Sequence, residues 1–150
     1  MILKSIVLGA LGLAVAGSVF VRLAPIDLPL IQSYLYAFGP GNHEWRNGYQ
    51  VVRELEDPIA AYEALDAIIM ATPRTTRAEG VQGAYVTRSV LWGFPDVTTL
   101  YAGPDNTIDG GHGPMLRIEG RAVYGVSDMG VNKTRITDWL AQLDGDTPTQ

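Results

Sequence analysis

Apolar residues near the C-terminus recur at intervals of three and four, the spacing of one face of an amphipathic helix. The residues on this face are Ile136, Trp139, Leu140 and Leu143. Continued toward the start of the helix, the same face carries Asn132 and Asp128, with Arg135 beside them. The pattern therefore predicts a helix that begins at Asp128 and whose first turn extends a buried stripe with polar groups.

A second helix is predicted earlier in the chain. Asp57-Pro58 is typical of a helix start, because aspartate caps backbone N–H groups and proline suits the first helical position. The helix is predicted to run through about Ala71 and to end before Pro73, since proline disfavours helical geometry in the residue before it. Its apolar face consists of Ile59, Tyr62, Leu65, Ala67, Ile69 and Met70.

Strands are predicted between the helices, where apolar and polar residues alternate. The alternating stretches are 85–92, 96–101 and 115–124. The turn pair Asn47-Gly48 predicts a small hairpin that leads into a further strand at 49–53. This order of elements predicts an α+β fold, an antiparallel sheet of three to four strands with two helices on one face.

The N-terminus carries an apolar run at 5–21 between Lys4 and Arg22. Together with the first residues it is long enough to cross a hydrocarbon core of ~30 Å. A signal peptide would be cleaved after the A-x-A sequence at 14–16, but the apolar run continues past that point, which favours an uncleaved transmembrane helix. Lys4 favours a cytoplasmic N-terminus and places the remainder of the chain outside the cytoplasm.

The predicted organisation is a transmembrane anchor at 1–23, a linker or flap at 24–56, an α+β domain at 57–143 and a disordered tail at 144–150. The linker is rich in proline, glycine and aromatic residues. Its aromatic residues are Tyr34, Tyr36, Phe38 and Trp45. They fit two interpretations equally: a belt at the level of the lipid headgroups, or a flap that covers the domain.

Composition and charge exclude several classes of function. The net charge is −5 and the pI about 4.8, which disfavours a nucleic-acid partner because the phosphate backbone needs a basic surface. The absence of cysteine excludes thiol catalysis and disulfides. His43 and His112 lack the spacing of a zinc site, and the calcium-like sequence at 105–110 has Leu116 where an EF-hand needs glutamate. No cofactor is predicted.

Catalysis is not favoured by the sequence either. A triad of Ser127, His112 and Asp128 would require the 103–114 loop to fold over the turn at 125–130, and Ser127 fits better as a helix-start residue. No other pairing of a nucleophile with a base stands out. The enzyme interpretation therefore has the weakest support.

Arginine is the residue type most suggestive of a site. Two interpretations stay open: an ion-pair network that closes the end of the core, since buried arginine needs a partner, or a pocket for a carboxylate or phosphate. Arg135 is expected to pair with Asp96, while Asp128 caps the helix beside Arg88 or Arg121. The candidate binding residues are Arg88, Asp96, Arg117, Arg121, Ser127, Asp128, Asn132 and Arg135.

Three segments, at 70–77, 85–96 and 126–136, resemble a family of uncharacterised bacterial proteins defined only as a domain of unknown function. Members are short and often carry an N-terminal membrane segment. The resemblance covers about 57–143 and includes an S-D-x-G-x-N-x-x-R-I signature, and the sequence at 21–25 resembles alphaproteobacterial members. The resemblance implies these signature positions: Arg88, Asp96, Ser127, Asp128, Gly130, Asn132 and Arg135.

One strand departs from the family pattern. Many members have a more basic strand before the signature, whereas here it reads Arg117-Ile-Glu-Gly-Arg121, with Glu119 between the two arginines. The added acid weakens an anion pocket shared with the family. The resemblance implies no activity.

The sequence thus predicts a single-pass protein of the bacterial inner membrane with a periplasmic domain that binds without catalysing. The first hypothesis is an interaction module or accessory subunit, which docks on a membrane protein complex through its aromatic flap. The alternative is a binder of a small anionic ligand or lipid headgroup through the arginine cluster. A deep polar pocket containing Arg88 and Arg135 would favour the second, and an aromatic patch beside the anchor the first.

Overall fold

The structure, a computed structural model of the chain, describes residues 2–27, 38–105 and 110–145. Tyr34, Tyr36, the centre of the calcium-like loop and the last residues of the predicted tail lie outside them. The described elements, in order, are α1 (Ile2–Leu23), β1 (Gly41–Trp45), β2 (Gly48–Glu54), α2 (Pro58–Ala71), β3 (Thr75–Arg77), β4 (Ala84–Arg88), β5 (Pro95–Gly103), β6 (Met115–Ala122) and α3 (Val131–Leu143).

The described strands form one antiparallel sheet in the order β1-β2-β6-β5-β4-β3. The predicted α+β class with an antiparallel sheet is confirmed, but the predicted number of three to four strands is wrong, because the sheet has six. The two strands β1 and β3 are short edges whose residues are mostly exposed. Neither therefore carries the apolar alternation that marks a half-buried strand. The sheet begins at Gly41, within the predicted linker.

Strand β4 is shorter than the alternation at 85–92 predicts. It ends at Arg88 because the chain turns there: Ser89 N donates to Phe94 O at 2.9 Å, and Gly93 takes a left-handed φ of 74° that closes the turn. The apolar residues at 90–92 therefore belong to a turn and not to a strand.

Helices α2 and α3 pack on the same face of the sheet, as predicted, and we call this the helix face. At the start of α2, Asp57 Oδ1 accepts a hydrogen bond from Ala60 N at 2.9 Å, which confirms the predicted cap. Trp139 and Leu140 of α3 pack in the same core cluster as Leu65 and Ile69 of α2. The core cluster contains Tyr49, Val51, Leu65, Ile69, Tyr85, Leu100, Leu116, Ile118, Ile136, Trp139 and Leu140.

Helix α3 begins at Val131 and not at Asp128. Met129 and Gly130 have left-handed φ values of 53° and 78°, so the chain makes a tight turn immediately before the helix. Asp128 still serves the helix start, because its carboxylate accepts hydrogen bonds from Gly130 N and Asn132 N. The cap is therefore provided from outside the helix.

The N-terminal helix α1 is long and apolar enough to cross a membrane, and its apolar window is not buried in the protein. It touches the domain near its C-terminal end. Ser18 Oγ donates to Trp92 O at 3.1 Å, and Arg88 Nη1 donates to Val21 O at 3.3 Å. These contacts attach α1 to the turn between β4 and β5.

Candidate functional site

The predicted site residues do not form one cluster. They separate into a polar junction on the helix face, a joint with α1, and a group on the opposite face of the sheet. The helix face carries Asp96, Ser127, Asp128, Asn132 and Arg135. Arg88 forms the joint with α1. The opposite face carries Arg117 and Arg121, because successive residues of β6 alternate between the two faces.

Asn132 is the centre of the polar junction and is fully buried. Its Nδ2 donates to Asp128 Oδ2 at 2.9 Å, and its Oδ1 accepts from Arg135 Nη1 at 3.1 Å. Arg135 Nη2 in turn lies 2.9 Å from Asp96 Oδ2, which confirms the expected ion pair. The junction thus links the turn before α3, the helix itself and strand β5.

The charges of the junction do not suit an anion. Its two carboxylates face one guanidinium, so an added anion would meet excess negative charge. Burial raises the pKa of Asp96, and the nearby charge and hydrogen bond of Arg135 work against that rise. The carboxylate is thus held in a partly desolvated place by its pair with Arg135. This arrangement suits a structural clamp between sheet and helix.

The expected contact of Asp128 with Arg88 or Arg121 is wrong. Arg121 lies on the other face of the sheet, and the Arg88 guanidinium is directed to backbone carbonyls of Val21 and Gly93. Ser127, expected at the helix start, uses its Oγ to accept a hydrogen bond from Met129 N at 3.2 Å. Its hydroxyl therefore shapes the turn that precedes α3.

Gly120 gives the junction the space it needs. A Cβ at this position of β6 would lie 2.8 Å from Asn132 Oδ1 and 3.1 Å from Ile136 Cδ1. The absent side chain therefore lets α3 approach the sheet closely.

We expect Gly120→Ala to lower the free energy of unfolding by roughly 1–3 kcal/mol, because the added methyl group overpacks the contact with α3. Urea denaturation of the full chain in mild detergent measures the change. Gly113→Ala is the matched control, since its nearest neighbour, Glu54 Oε1, would be 3.7 Å from the new Cβ. Equal stability of the two variants would contradict the close approach of α3.

The opposite face of the sheet, which we call the second face, is also buried. Its central residues are Gln50, Val52, Val97, Thr99, Arg117 and Glu119. Gln50 Nε2 donates to Glu119 Oε2 at 3.0 Å across the pairing of β2 with β6. Burial raises the pKa of Glu119, and Arg121, Gln50 and Arg117 oppose the rise. Glu119, which departs from the family pattern, therefore sits among polar partners.

A cavity of about 510 Å³ opens on the second face beside edge strand β1. The Phe38 and His43 rings stack with centroids 4.4 Å apart, and Trp45 lies farther along the same wall. The Arg121 guanidinium lies over the Trp45 ring, 5.5 Å from its centroid. The described residues that line the cavity are Phe38, Asn42, His43, Glu44, Trp45, Glu119 and Arg121. Aromatic and arginine side chains thus surround one opening.

A second cavity, about 470 Å³ and broadly open, lies beside the start of α3. Arg135 contributes to its wall together with Thr72, Thr134 and Asp138. Arg88 is not among the described residues that line it. Arg88 and Arg135 therefore do not share this cavity.

The described residues provide little support for a metal site or for nucleophilic catalysis. They contain no group of three histidine, aspartate or glutamate side chains placed to hold a metal ion. His112 precedes β6 and lies 3.6 Å from Glu54, whereas Ser127 follows the opposite end of that strand. An eight-residue strand spans roughly 26 Å at about 3.3 Å per residue. Ser127 and His112 are thus too far apart to form a triad.

One polar cluster was missed by the sequence reasoning. Arg77 donates two hydrogen bonds of 2.6 Å to the Asp66 carboxylate, and the Tyr85 hydroxyl donates to the same group. The hydrogen bonds from Arg77 lower the pKa of Asp66. Asp66 lies on α2 and its partners on β3 and β4, so the cluster fastens the helix to the sheet. Only the pairing of β3 with β4 reveals it.

Comparison of the chain with protein-family models, with curated proteins and with solved structures finds no match. The resemblance to a bacterial domain of unknown function stays a prediction. The class that the fold defines is an α+β domain with a six-stranded antiparallel sheet and an N-terminal apolar helix.

Proposed function

We propose that this chain is a membrane-tethered interaction domain, an accessory subunit that docks on a membrane protein complex through the cavity on its second face. In this proposal α1 crosses a bacterial inner membrane once, and the α+β domain lies in the periplasm. The observation that carries the proposal is the cavity itself, which joins an aromatic wall to an arginine at an exposed sheet edge.

Two features support the tether. The outward side chains of α1 are apolar and exposed, including Leu8, Leu13 and Phe20, and a bilayer would remove them from water. The hydrogen bonds of Ser18 and Arg88 attach α1 to the domain, which favours a retained anchor over a cleaved signal peptide. Lys4 at the start of the helix favours a cytoplasmic N-terminus and hence a periplasmic domain.

The residue types of the cavity favour a protein partner. Tryptophan, tyrosine, phenylalanine and arginine are enriched at protein interfaces, where rigid aromatic rings bury much area at little conformational cost. Phe38 and Trp45 offer such rings, and Arg121 is positioned by its contact with the indole. The adjoining strand β1 is an edge of the described sheet, which suits addition of an extended segment of the partner.

The arginine cluster has weaker support as an anion or lipid-headgroup site. Arg135 is paired with Asp96 beside a second carboxylate, and Arg88 is engaged by backbone carbonyls. The sheet separates Arg135 from Arg117 and Arg121, and the guanidinium of Arg88 is directed to α1. For this alternative, several arginines would have to converge on one opening.

The test is site-specific photocrosslinking of the full chain in its native bacterial membrane. A photoreactive phenylalanine analogue at His43, which lines the cavity and pairs with Gln50 of the second face, is expected to give one adduct of discrete mass. The same analogue at Glu63, an exposed position of α2, is the matched control and should give none. Phe38→Ala, combined with the His43 crosslinker, should reduce the adduct several-fold by removing part of the aromatic wall. Equal adducts from both positions, or none from His43, would refute the proposed interface.

A further inference from the structure

One end of the domain exposes an apolar surface beside α1. Leu91 is 72% exposed and Met129 is 89% exposed, and other large apolar side chains near them are exposed as well. We call this surface the apolar tip. It consists of Val90, Leu91, Trp92 and Phe94 from the β4–β5 turn, with Tyr124, Val126 and Met129 from the loop between β6 and α3.

The two segments of the apolar tip are neighbours. Val123 N donates to Pro95 O at 3.2 Å, and the Phe94 and Tyr124 rings meet edge to face with centroids 6.3 Å apart. These contacts bring the β4–β5 turn and the start of the β6–α3 loop together at one end of the domain. Contiguous exposed apolar surface of this kind marks a contact with a protein or a membrane.

The position of α1 favours lipid as the partner that the apolar tip contacts. Trp92 and Phe94 lie against Ala14, Gly17, Ser18 and Val21 on the side of the helix. Ala14 is roughly 13 Å along the axis from Leu23, at about 1.5 Å per residue. If the helix spans a hydrocarbon core, residues in contact with Ala14 and Gly17 lie below the membrane surface.

The backbone of the β4–β5 turn is suited to the hydrocarbon region of a bilayer, where unpaired backbone N–H and C=O groups are costly. Ser89 N donates to Phe94 O, Gly93 N to Ser89 O, and Phe94 N to Ser89 Oγ. Trp92 O accepts from Ser18, and Gly93 O accepts from Arg88. These backbone groups are therefore paired inside the protein and need no water.

Cationic residues surround the same end of the domain. Arg22 follows the apolar part of α1, Arg46 lies in the β1–β2 turn, and Arg74 donates its Nε hydrogen to Arg88 O. All three are exposed, although the chain as a whole is acidic. A basic rim around an apolar patch suits the anionic headgroups of a bilayer.

We propose that the apolar tip is inserted in the bilayer that α1 crosses, and so gives the domain a second membrane contact. This inference rests on the proposed tether. The domain then lies on the membrane in a fixed orientation, with its β4–β5 turn beside the anchor and its basic rim at the headgroups.

The absence of native cysteine allows a direct test with the full chain. Leu91→Cys carries an environment-sensitive fluorophore, and the protein is reconstituted in vesicles of phosphatidylcholine and phosphatidylglycerol. The matched control is Gln82→Cys, an exposed position in the turn at the other end of β4. Leu11→Cys, on an exposed side of α1, reports on the anchor. None of the three substitutions removes a buried side chain.

The emission of fluorophores attached at positions 91 and 11 is expected to shift to shorter wavelength on reconstitution. Lipids that carry a nitroxide in the acyl chain should quench this emission several-fold. The fluorophore at Gln82 should stay in water and be quenched by iodide. A signal from Leu91 like that of Gln82, with Leu11 still in the bilayer, would overturn the inserted tip and leave the tether intact. An aqueous Leu11 would overturn the tether and the inserted tip together.

Discussion

Arg135→Leu is expected to lower the free energy of unfolding by about 3–5 kcal/mol at neutral pH, because it leaves the Asp96 carboxylate without its cation. The side chains of Arg135 and Asp96 keep only 15% and 14% exposure, so water replaces little of the lost interaction. The variant also removes the hydrogen bond to Asn132 Oδ1. Urea denaturation of the full chain in mild detergent measures the loss.

The loss should depend on pH in a defined direction. Burial raises the pKa of Asp96, and Arg135 opposes that rise, so the pKa should be higher still in the variant. A raised carboxyl pKa means that the folded state binds the proton more tightly, and the cost of the buried charge is relieved as pH falls through that pKa. The difference in stability between Arg135→Leu and the native chain should therefore shrink toward acidic pH.

A matched double variant isolates the pair. Asp96→Asn combined with Arg135→Leu should be more stable than Arg135→Leu alone, since no unpaired carboxylate remains. An anion site would be favoured instead by two results together. Arg135→Leu would be as stable as the native chain, and phosphate would stabilise the native chain but not the variant.

Leu140→Ala is expected to cost about 2–5 kcal/mol, the range found for well-packed leucines. Leu140 is 4% exposed and packs in the core between α3 and the sheet. Thr134→Ala, at an exposed position of the same helix, is the control and should stay within about 0.5 kcal/mol of the native chain. If Leu140→Ala and Thr134→Ala unfold at the same urea concentration, Leu140 does not lie on the face of α3 that packs against the sheet.

The helices could be predicted because their signals are local. The cap at Asp57, the stop at Pro73 and the apolar stripe of α3 each depend on residues within a few positions of one another. The turn pair Asn47-Gly48 likewise predicted the hairpin that β1 and β2 form, although the turn residues are Arg46 and Asn47. Edge strand β3 could not be predicted, since it is short and gains its order from β4. Alternation likewise predicted that β6 has two distinct faces, but both faces are buried, so the sequence could not indicate which one receives the helices.

The candidate site was predicted only in part, because some of its contacts join residues that are far apart in the sequence. The Asp96–Arg135 pair follows from complementary charges on two predicted elements, and it is confirmed. The role of Arg88 depends on Val21, which is 67 positions away in the sequence. The cavity near Trp45 depends on the register of β1 with β2 and of β2 with β6. Such long-range placements leave no local pattern.

Strand β6 lies between β2 and β5, so the β1–β2 hairpin leaves the ribosome long before its partner strand does. The strands β3, β4 and β5 can pair with one another as they emerge, since each follows its neighbour in the sequence. The hairpin must wait with one edge open until Met115–Ala122 has been made. Synthesis of β6 and α3 therefore joins two separate halves of the sheet, and the core is completed only after both of these elements have been made.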